Sequence, residues 1–156
     1  MEKRDKKNMN VRAIENGTVI DHIPSDALFK IVNILGLDNE SNQITLGNNL
    51  ESKRMGKKAI IKIANRFCAD EEVNRISIIA PMACVNTIRD YQVVEKRSVE
   101  VPDEITDFVK CANPTCITNH EDITTKFKVI KRASELNLRC RYCEKITTQE
   151  NMTLKK

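Results

Sequence analysis

Along the first hundred positions the apolar residues switch between a period of two and a period near 3.6, and the order of those switches predicts the elements. Val11, Ala13 and then residues 18–23 suggest an extended start broken by Gly17. After Pro24, Ser25 is read as the N-cap of a helix whose apolar face is Leu28, Ile31, Val32 and Leu35, with Gly36 as its stop. Residues 43–46 and 59–63 read as two strands joined through a Gly-containing connection, hence as an antiparallel pair. Asp70, Glu71 and Glu72 suit the first turn of a second helix, with Val73, Ile76 and Ala80 as its face and Pro81 as its end. Residues 83–88 and 91–96 complete a hairpin around Arg89 and Asp90. The order βαββαβ with one extra strand predicts an α+β fold: a ferredoxin-like antiparallel sheet with two helices on one face.

The remaining third follows a different rule. Cys111, Cys116, Cys140 and Cys143 form C-x4-C, x23, C-x2-C, the spacing of two knuckles that aim four thiolates at one zinc ion. Such a shell is closed, so the metal holds structure and leaves no coordination position for chemistry. The competing assignment is two disulfides. Residues 1–10 are charged and lack the apolar stretch of a secretion signal, which favours a cytoplasmic chain with reduced thiols and therefore metal. Cys68 and Cys84 lack partners at such spacing and read as small buried apolar groups.

This pattern divides the chain into residues 1–100 and residues 101–156, with the joint at Val99, Glu100, Val101, Pro102 and Asp103. The first part can bury its own core. The second, small and β-rich, is expected to be a zinc-ribbon (rubredoxin-like) domain that needs the metal to fold. Charge adds little. The chain carries 26 Lys and Arg against 22 Asp and Glu, spread over both parts without the concentrated field of a nucleic-acid binder. No apolar run approaches a membrane span.

Several motifs in one order carry a resemblance. Residues 17–24 (GTVIDHIP), Met55-Gly56-Lys57-Lys58, Ile61-Lys62-Ile63, Ala80-Pro81, Val85-Asn86, Tyr91 with Val93-Val94, and the terminal Cys140-Arg141-Tyr142-Cys143-Glu144-Lys145 together resemble the regulatory chain of aspartate carbamoyltransferase. The resemblance runs from about Val11 to about Glu150. It implies a noncatalytic subunit in pyrimidine biosynthesis whose N-terminal domain binds CTP as inhibitor and ATP as activator. It also implies a zinc domain that docks on the catalytic chain, in an assembly of two catalytic trimers bridged by three regulatory dimers.

Carried over residue by residue, the resemblance gives His22, Lys62 and Lys96 phosphate-contacting roles, with Lys58 as a further basic position. It makes Asp21 the ribose acceptor and places Ile14, Tyr91 and Val93 around the base, with Asn86 nearby and Val11 and Val19 lining the pocket. Asn113, Arg132, Glu144 and Lys145 match positions that contact the catalytic chain. Arg12 and Ala59 depart from the expected pattern and are candidates for tuning nucleotide preference.

Two other classes compete. A zinc-ribbon nucleic-acid binder would use Lys126, Lys128, Lys131 and Arg132 with the aromatic faces of Phe127 and Tyr142, against a nearly balanced charge. A zinc deaminase needs three ligands, a bound water and a glutamate; here four cysteines fill the shell, Arg139 stands where P-C-x-x-C needs proline, and His120-Glu121 supplies no H-x-E motif.

Overall fold

Strand β1 (Gly17–Pro24) sits at the centre of a five-stranded antiparallel sheet because the chain returns to it from both sides. The elements that follow are α1 (Leu28–Ile34), β2 (Ile44–Ser52), β3 (Gly56–Ala64), α2 (Asp70–Ile79), β4 (Cys84–Arg89) and β5 (Gln92–Ser98), in spatial order β2-β3-β1-β4-β5. This is the ferredoxin-like arrangement with an added edge strand. The computed structural model describes residues 13–132 and 135–155. The chain divides into two compact units at Glu100 and Val101.

One face of the first sheet is the core. Ile20, Ile23, Ile61 and Ile63 are fully buried against Leu28 and Ile31 of α1 and Ile76 of α2, and the two helices lie against one another. Gly36, at φ 61°, ends α1 in the left-handed conformation that glycine adopts without penalty. At the start of α2, the Glu72 carboxylate accepts the Ala69 N–H at 3.2 Å and also binds Arg66 at 2.6 Å; Arg66 reaches Glu40 at 2.9 Å. This bridge ties the entrance of α2 to the turn after α1.

Four sequence expectations are corrected here. Ser25 does not cap the helix: it opens a 3-10 turn (Ser25–Ala27), makes no capping bond, and its Oγ is buried without a hydrogen-bond partner among the described residues. The loop between β2 and β3 shrinks to residues 53–55, because Gly47 and Gly56 lie inside the strands. The β4–β5 hairpin turns on Asp90 and Tyr91, both at positive φ, with Arg89 already paired to Gln92. Ala59 is fully buried on the helix-covered side, so it cannot touch a ligand on the other face. Val11 and Arg12 lie outside the described residues.

The second unit is built from β6 (Glu104–Thr106), β7 (Val109–Lys110), β8 (Lys126–Arg132), β9 (Glu135–Cys140), β10 (Ile146–Thr148) and β11 (Thr153–Leu154). A four-stranded sheet runs β10-β9-β8-β6, and β11 pairs with β7. Ile105, Val109, Phe127, Val129, Leu136, Leu138 and Met152 form its small core. Among the described residues no helix is long and apolar enough to cross a membrane.

Candidate metal centre and polar sheet face

The four cysteines of the second unit converge. Cys111, Cys116 and Cys140 are buried, Cys143 is half-buried, and all four sulfurs lie within 4.8 Å of one another. Cys111 and Cys143 are 3.6 Å apart and Cys116 and Cys140 are 3.8 Å apart. A disulfide would bring sulfurs to about 2.05 Å, so these are four free thiols. A tetrahedron with metal–sulfur arms of about 2.3 Å has edges of about 3.8 Å, and the observed separations fit it.

Local backbone explains why the sulfurs meet. β8 and β9 pair Phe127 with Cys140, which fixes one ligand on the core side of the sheet. The turn after it is closed by Glu144 N–H donating to the Cys140 carbonyl at 3.0 Å, with Glu144 at φ 66°. On the other knuckle, Cys116 N–H donates to the Asn113 carbonyl at 3.0 Å, and Asn119 Nδ2 clamps the carbonyls of Cys111 and Asn113. Tyr142 N–H points at the Cys140 sulfur at 3.4 Å, and Thr118 Oγ1 lies 3.2 Å from the Cys116 sulfur. Burial pushes the Cys111 thiol up to about 12. Burial also raises Cys143, but hydrogen bonds from the Lys145 backbone, the Asn113 side chain and the neighbouring thiols outweigh it and bring it down to about 7. A dication at the centre would stabilise all four as thiolates.

His120 stays out of this shell, its Nε2 lying 2.8 Å from the Pro114 carbonyl oxygen. Asn113, Glu144 and Lys145 all sit on the two knuckles. Arg132 does not join them: it pairs with Glu135 at the far end of β8, five residues from the Phe127–Cys140 pair, a rise of about 17 Å.

The second candidate site is the open face of the first sheet. Register places Thr45, Lys62, Val19, Asn86 and Lys96 in one row across all five strands. Their side chains therefore emerge on the same side, opposite the helices. Two bulges adjust what flanks this row. In β1, the two residues between Ile20 and Ile23, Asp21 and His22, oppose the single Ile60 between Ile61 and Ala59, with His22 at φ 58°. Both isoleucines consequently face the core while Asp21 and His22 project away from it. In β5, Val94 is the extra residue, and Val93, paired with Ile88, joins Lys96 on the open face.

Asp21 is the electrostatic centre of that face. Its carboxylate meets Lys58 Nζ at 2.9 Å and accepts the His22 N–H at 2.7 Å. Burial works against the charge, yet the Lys58 bond, the His22 N–H and both nearby positive groups hold the carboxyl below its ordinary range. Burial lowers the pKa of Lys62, and the Asp21 charge opposes that shift. His22 Nδ1 is buried, 3.9 Å from the Asp21 carboxylate, and makes no hydrogen bond among the described residues. At the other end of β1, Tyr91 N–H donates to the Glu15 carbonyl at 2.9 Å, which brings the segment of Ile14 beside the β4–β5 turn. Gly17 is required there: an added Cβ would stand 2.0 Å from the Ile63 carbonyl oxygen and 3.1 Å from Ile14 Cδ1.

Comparison with known proteins joins the two sites. Residues 9–100 match the family model described as the aspartate carbamoyltransferase regulatory chain, allosteric domain, and residues 103–153 match that of the metal binding domain. The chain belongs to the aspartate carbamoyltransferase regulatory-chain family. It is 53% identical over 150 residues to the regulatory chain of Phocaeicola vulgatus, covering 96% of each protein. It is 51% identical over 149 residues to that of Thermococcus sibiricus, covering 96% of this chain and 97% of the relative. The Porphyromonas gingivalis regulatory chain is 54% identical over 140 residues, 90% of this chain and 92% of the relative. Each of these relatives is thus similar to this chain at nearly full length. Membership in the regulatory-chain family makes this a noncatalytic subunit with an allosteric part and a metal-binding part.

Sequence reasoning missed the bulge at Val94 and the inward position of Ala59. Neither has a local signal, since strand alternation alone puts Val93 and Lys96 on opposite faces.

Proposed function

We propose that the open sheet face of residues 1–100 binds CTP and ATP in competition, and that residues 101–156 hold one zinc ion and dock on the catalytic chain of aspartate carbamoyltransferase. The observation that carries this reading is the single row of Lys62, Val19, Asn86 and Lys96, flanked on β1 by Asp21 and His22. Lysines 58, 62 and 96 and His22 supply cationic donors for a triphosphate. Asp21, an acceptor with two oxygens, suits ribose hydroxyls. Val19 and Ile14 offer apolar walls, Asn86 stands nearby, and the backbone around Ile14, Tyr91 and Val93 reads the base; Val11 completes the set from the sequence. Control of the enzyme then requires different nucleotide affinities in two quaternary states, since equal affinity shifts no equilibrium.

Zinc fits the four-thiolate shell by its preference for sulfur and for tetrahedral geometry. When bound it supplies cross-linking charge and no chemistry, while Cys111, Cys116, Cys140 and Cys143 would hold it. Asn113, Glu144 and Lys145, displayed by the knuckles, and Arg132 at the distal end of β8 contact the catalytic chain. The same reading places the subunit in the cytoplasm as a dimer, three of which bridge two catalytic trimers, with the assembly serving feedback control of pyrimidine biosynthesis. Equilibrium titration with CTP tests the site. Lys62→Ala and Lys96→Ala are each expected to weaken binding about tenfold or more by removing a charge-assisted contact. Unchanged affinity in both would refute the assignment.

Of the competing classes, the nucleic-acid reading loses an aromatic, because Phe127 is fully buried and cannot stack on a base.

A further inference from the structure

Lys58 and Asp21 come from different strands and meet on the open face of the first sheet. Register pairs Lys58 with Pro24, three residues along β1 from Asp21, and the ammonium group crosses back to the carboxylate. Its Nζ stands 2.9 Å from Asp21 Oδ1 and 3.3 Å from Oδ2. The His22 N–H donates to the same Oδ1 at 2.7 Å, with His22 held at φ 58° by the bulge. Oδ1 therefore carries two short contacts, one from its own strand and one from across the sheet. A carboxylate oxygen accepts about two hydrogen bonds, so Oδ1 is filled and Oδ2 is left as the acceptor for an incoming donor. Both side chains are 22% exposed, which shelters the pair more than the surface ion pairs that contribute little.

This arrangement sets Lys58 apart from the other cations of the face. Lys96 is exposed on β5 and meets no carboxylate among the described residues, whereas the charge of Lys58 is offset by Asp21. Burial pushes the Asp21 carboxyl up, and the Lys58 bond is the largest of the contacts that bring it down. Without Lys58 the carboxylate would keep a single short contact, the His22 N–H, among the described residues. An aspartate side chain turns about χ2 as a broad two-fold rotor, so one anchor does not decide where the second oxygen points. Two anchors on Oδ1 do. A carboxylate discriminates between sugars only when its accepting oxygen is fixed where the hydroxyl arrives, because rejection of the analogue lacking that hydroxyl comes from leaving a fixed polar group unpaired.

We infer that Lys58 is a positioning residue for the sugar: with the His22 N–H it pins Asp21, aims Oδ2 at a ribose hydroxyl, and so sets a preference for ribonucleotides over deoxyribonucleotides. The inference rests on the nucleotide reading above and gives Lys58 a duty beyond its charge. The test is equilibrium titration of the full chain with CTP, 2′-deoxy-CTP and 3′-deoxy-CTP. Wild type is expected to bind at least one deoxy analogue about tenfold or more below CTP, the loss of a hydrogen bond to a charged acceptor. Lys58→Gln is expected to shrink that ratio about threefold or more, while Lys58→Arg, which keeps a cationic donor, retains most of it. Lys96→Ala is expected to weaken CTP and the deoxy analogue alike and leave the ratio unchanged. Because Lys58 acts through Asp21, Asp21→Asn/Lys58→Gln is expected to show the ratio of Asp21→Asn alone. A wild-type ratio retained in Lys58→Gln, with CTP and the deoxy analogue weakened equally, would overturn the inference and leave the nucleotide reading standing. Wild type binding all three nucleotides alike would also overturn it, and wild type binding no CTP would overturn both.

Discussion

At the scale of single residues, Gly17 and Asp21 mark the two ends of the working stretch of β1, and each makes a measurable demand. Gly17 has φ 141° and no room for a methyl group against the Ile63 carbonyl. Gly17→Ala is therefore expected to cost about 2–4 kcal/mol, from strain and backbone displacement together, read as a lowered urea midpoint of the first unit. Asp21 makes its demand through pH. Its folded pKa lies below the ordinary value, so the ionised carboxylate contributes stability that is fully present above the unfolded value of about 3.9. That contribution is lost as pH falls through the lower folded value. Asp21→Asn is expected to be less stable than wild type at neutral pH, with the gap closing only as pH falls below the unfolded value of about 3.9 and through the lower folded value. A gap independent of pH would show that Asp21 acts by packing alone.

At the scale of elements, the helix α2, the strand pairs and the cysteine knuckles were legible because each is announced by local chemistry. The acidic first turn before Val73 and Ile76, and the two close cysteine spacings, need no knowledge of tertiary partners. The bulges were not legible. Whether Asp21 and His22 can both leave the core depends on β3 supplying one residue, Ile60, against two, a relation between segments some forty positions apart. Ser25 failed as a cap for a related reason: the 3-10 turn carries it past the capping position and buries its hydroxyl. Phe127 read as an available aromatic, yet pairing with Cys140 turns it into the small core. Its burial beside a metal ligand makes the strand and the metal centre one cooperative object. Cys140→Ser is accordingly expected to abolish stoichiometric metal binding and to unfold the second unit. The near-ultraviolet signal of the first unit and its urea midpoint would be retained. Full metal retention in Cys140→Ser would contradict a four-cysteine shell.

At the scale of the whole molecule, the two units carry different physics. The first offers a broad sheet face whose polar groups are set by register, suited to a small charged ligand that binds and leaves. The second closes around four sulfurs and presents its knuckles outward, suited to a lasting contact. A family whose models describe an allosteric part and a metal-binding part matches that division. Sensing and assembly are expected to be separable because the groups proposed for each lie in different compact units. Coupling between them would appear only in the assembled enzyme, as a change in nucleotide affinity of typically about 1–3 kcal/mol between quaternary states.

The most direct test of this division of labour is a CTP titration of the full chain before and after removal of zinc by a strong chelator, with assembly onto the catalytic trimer followed in parallel by sedimentation. The account predicts that zinc removal abolishes assembly and that CTP affinity stays within about twofold, since less than about 0.5 kcal/mol of nucleotide binding should depend on the metal unit. Loss of CTP binding together with the zinc, or assembly that persists without it, would contradict the account.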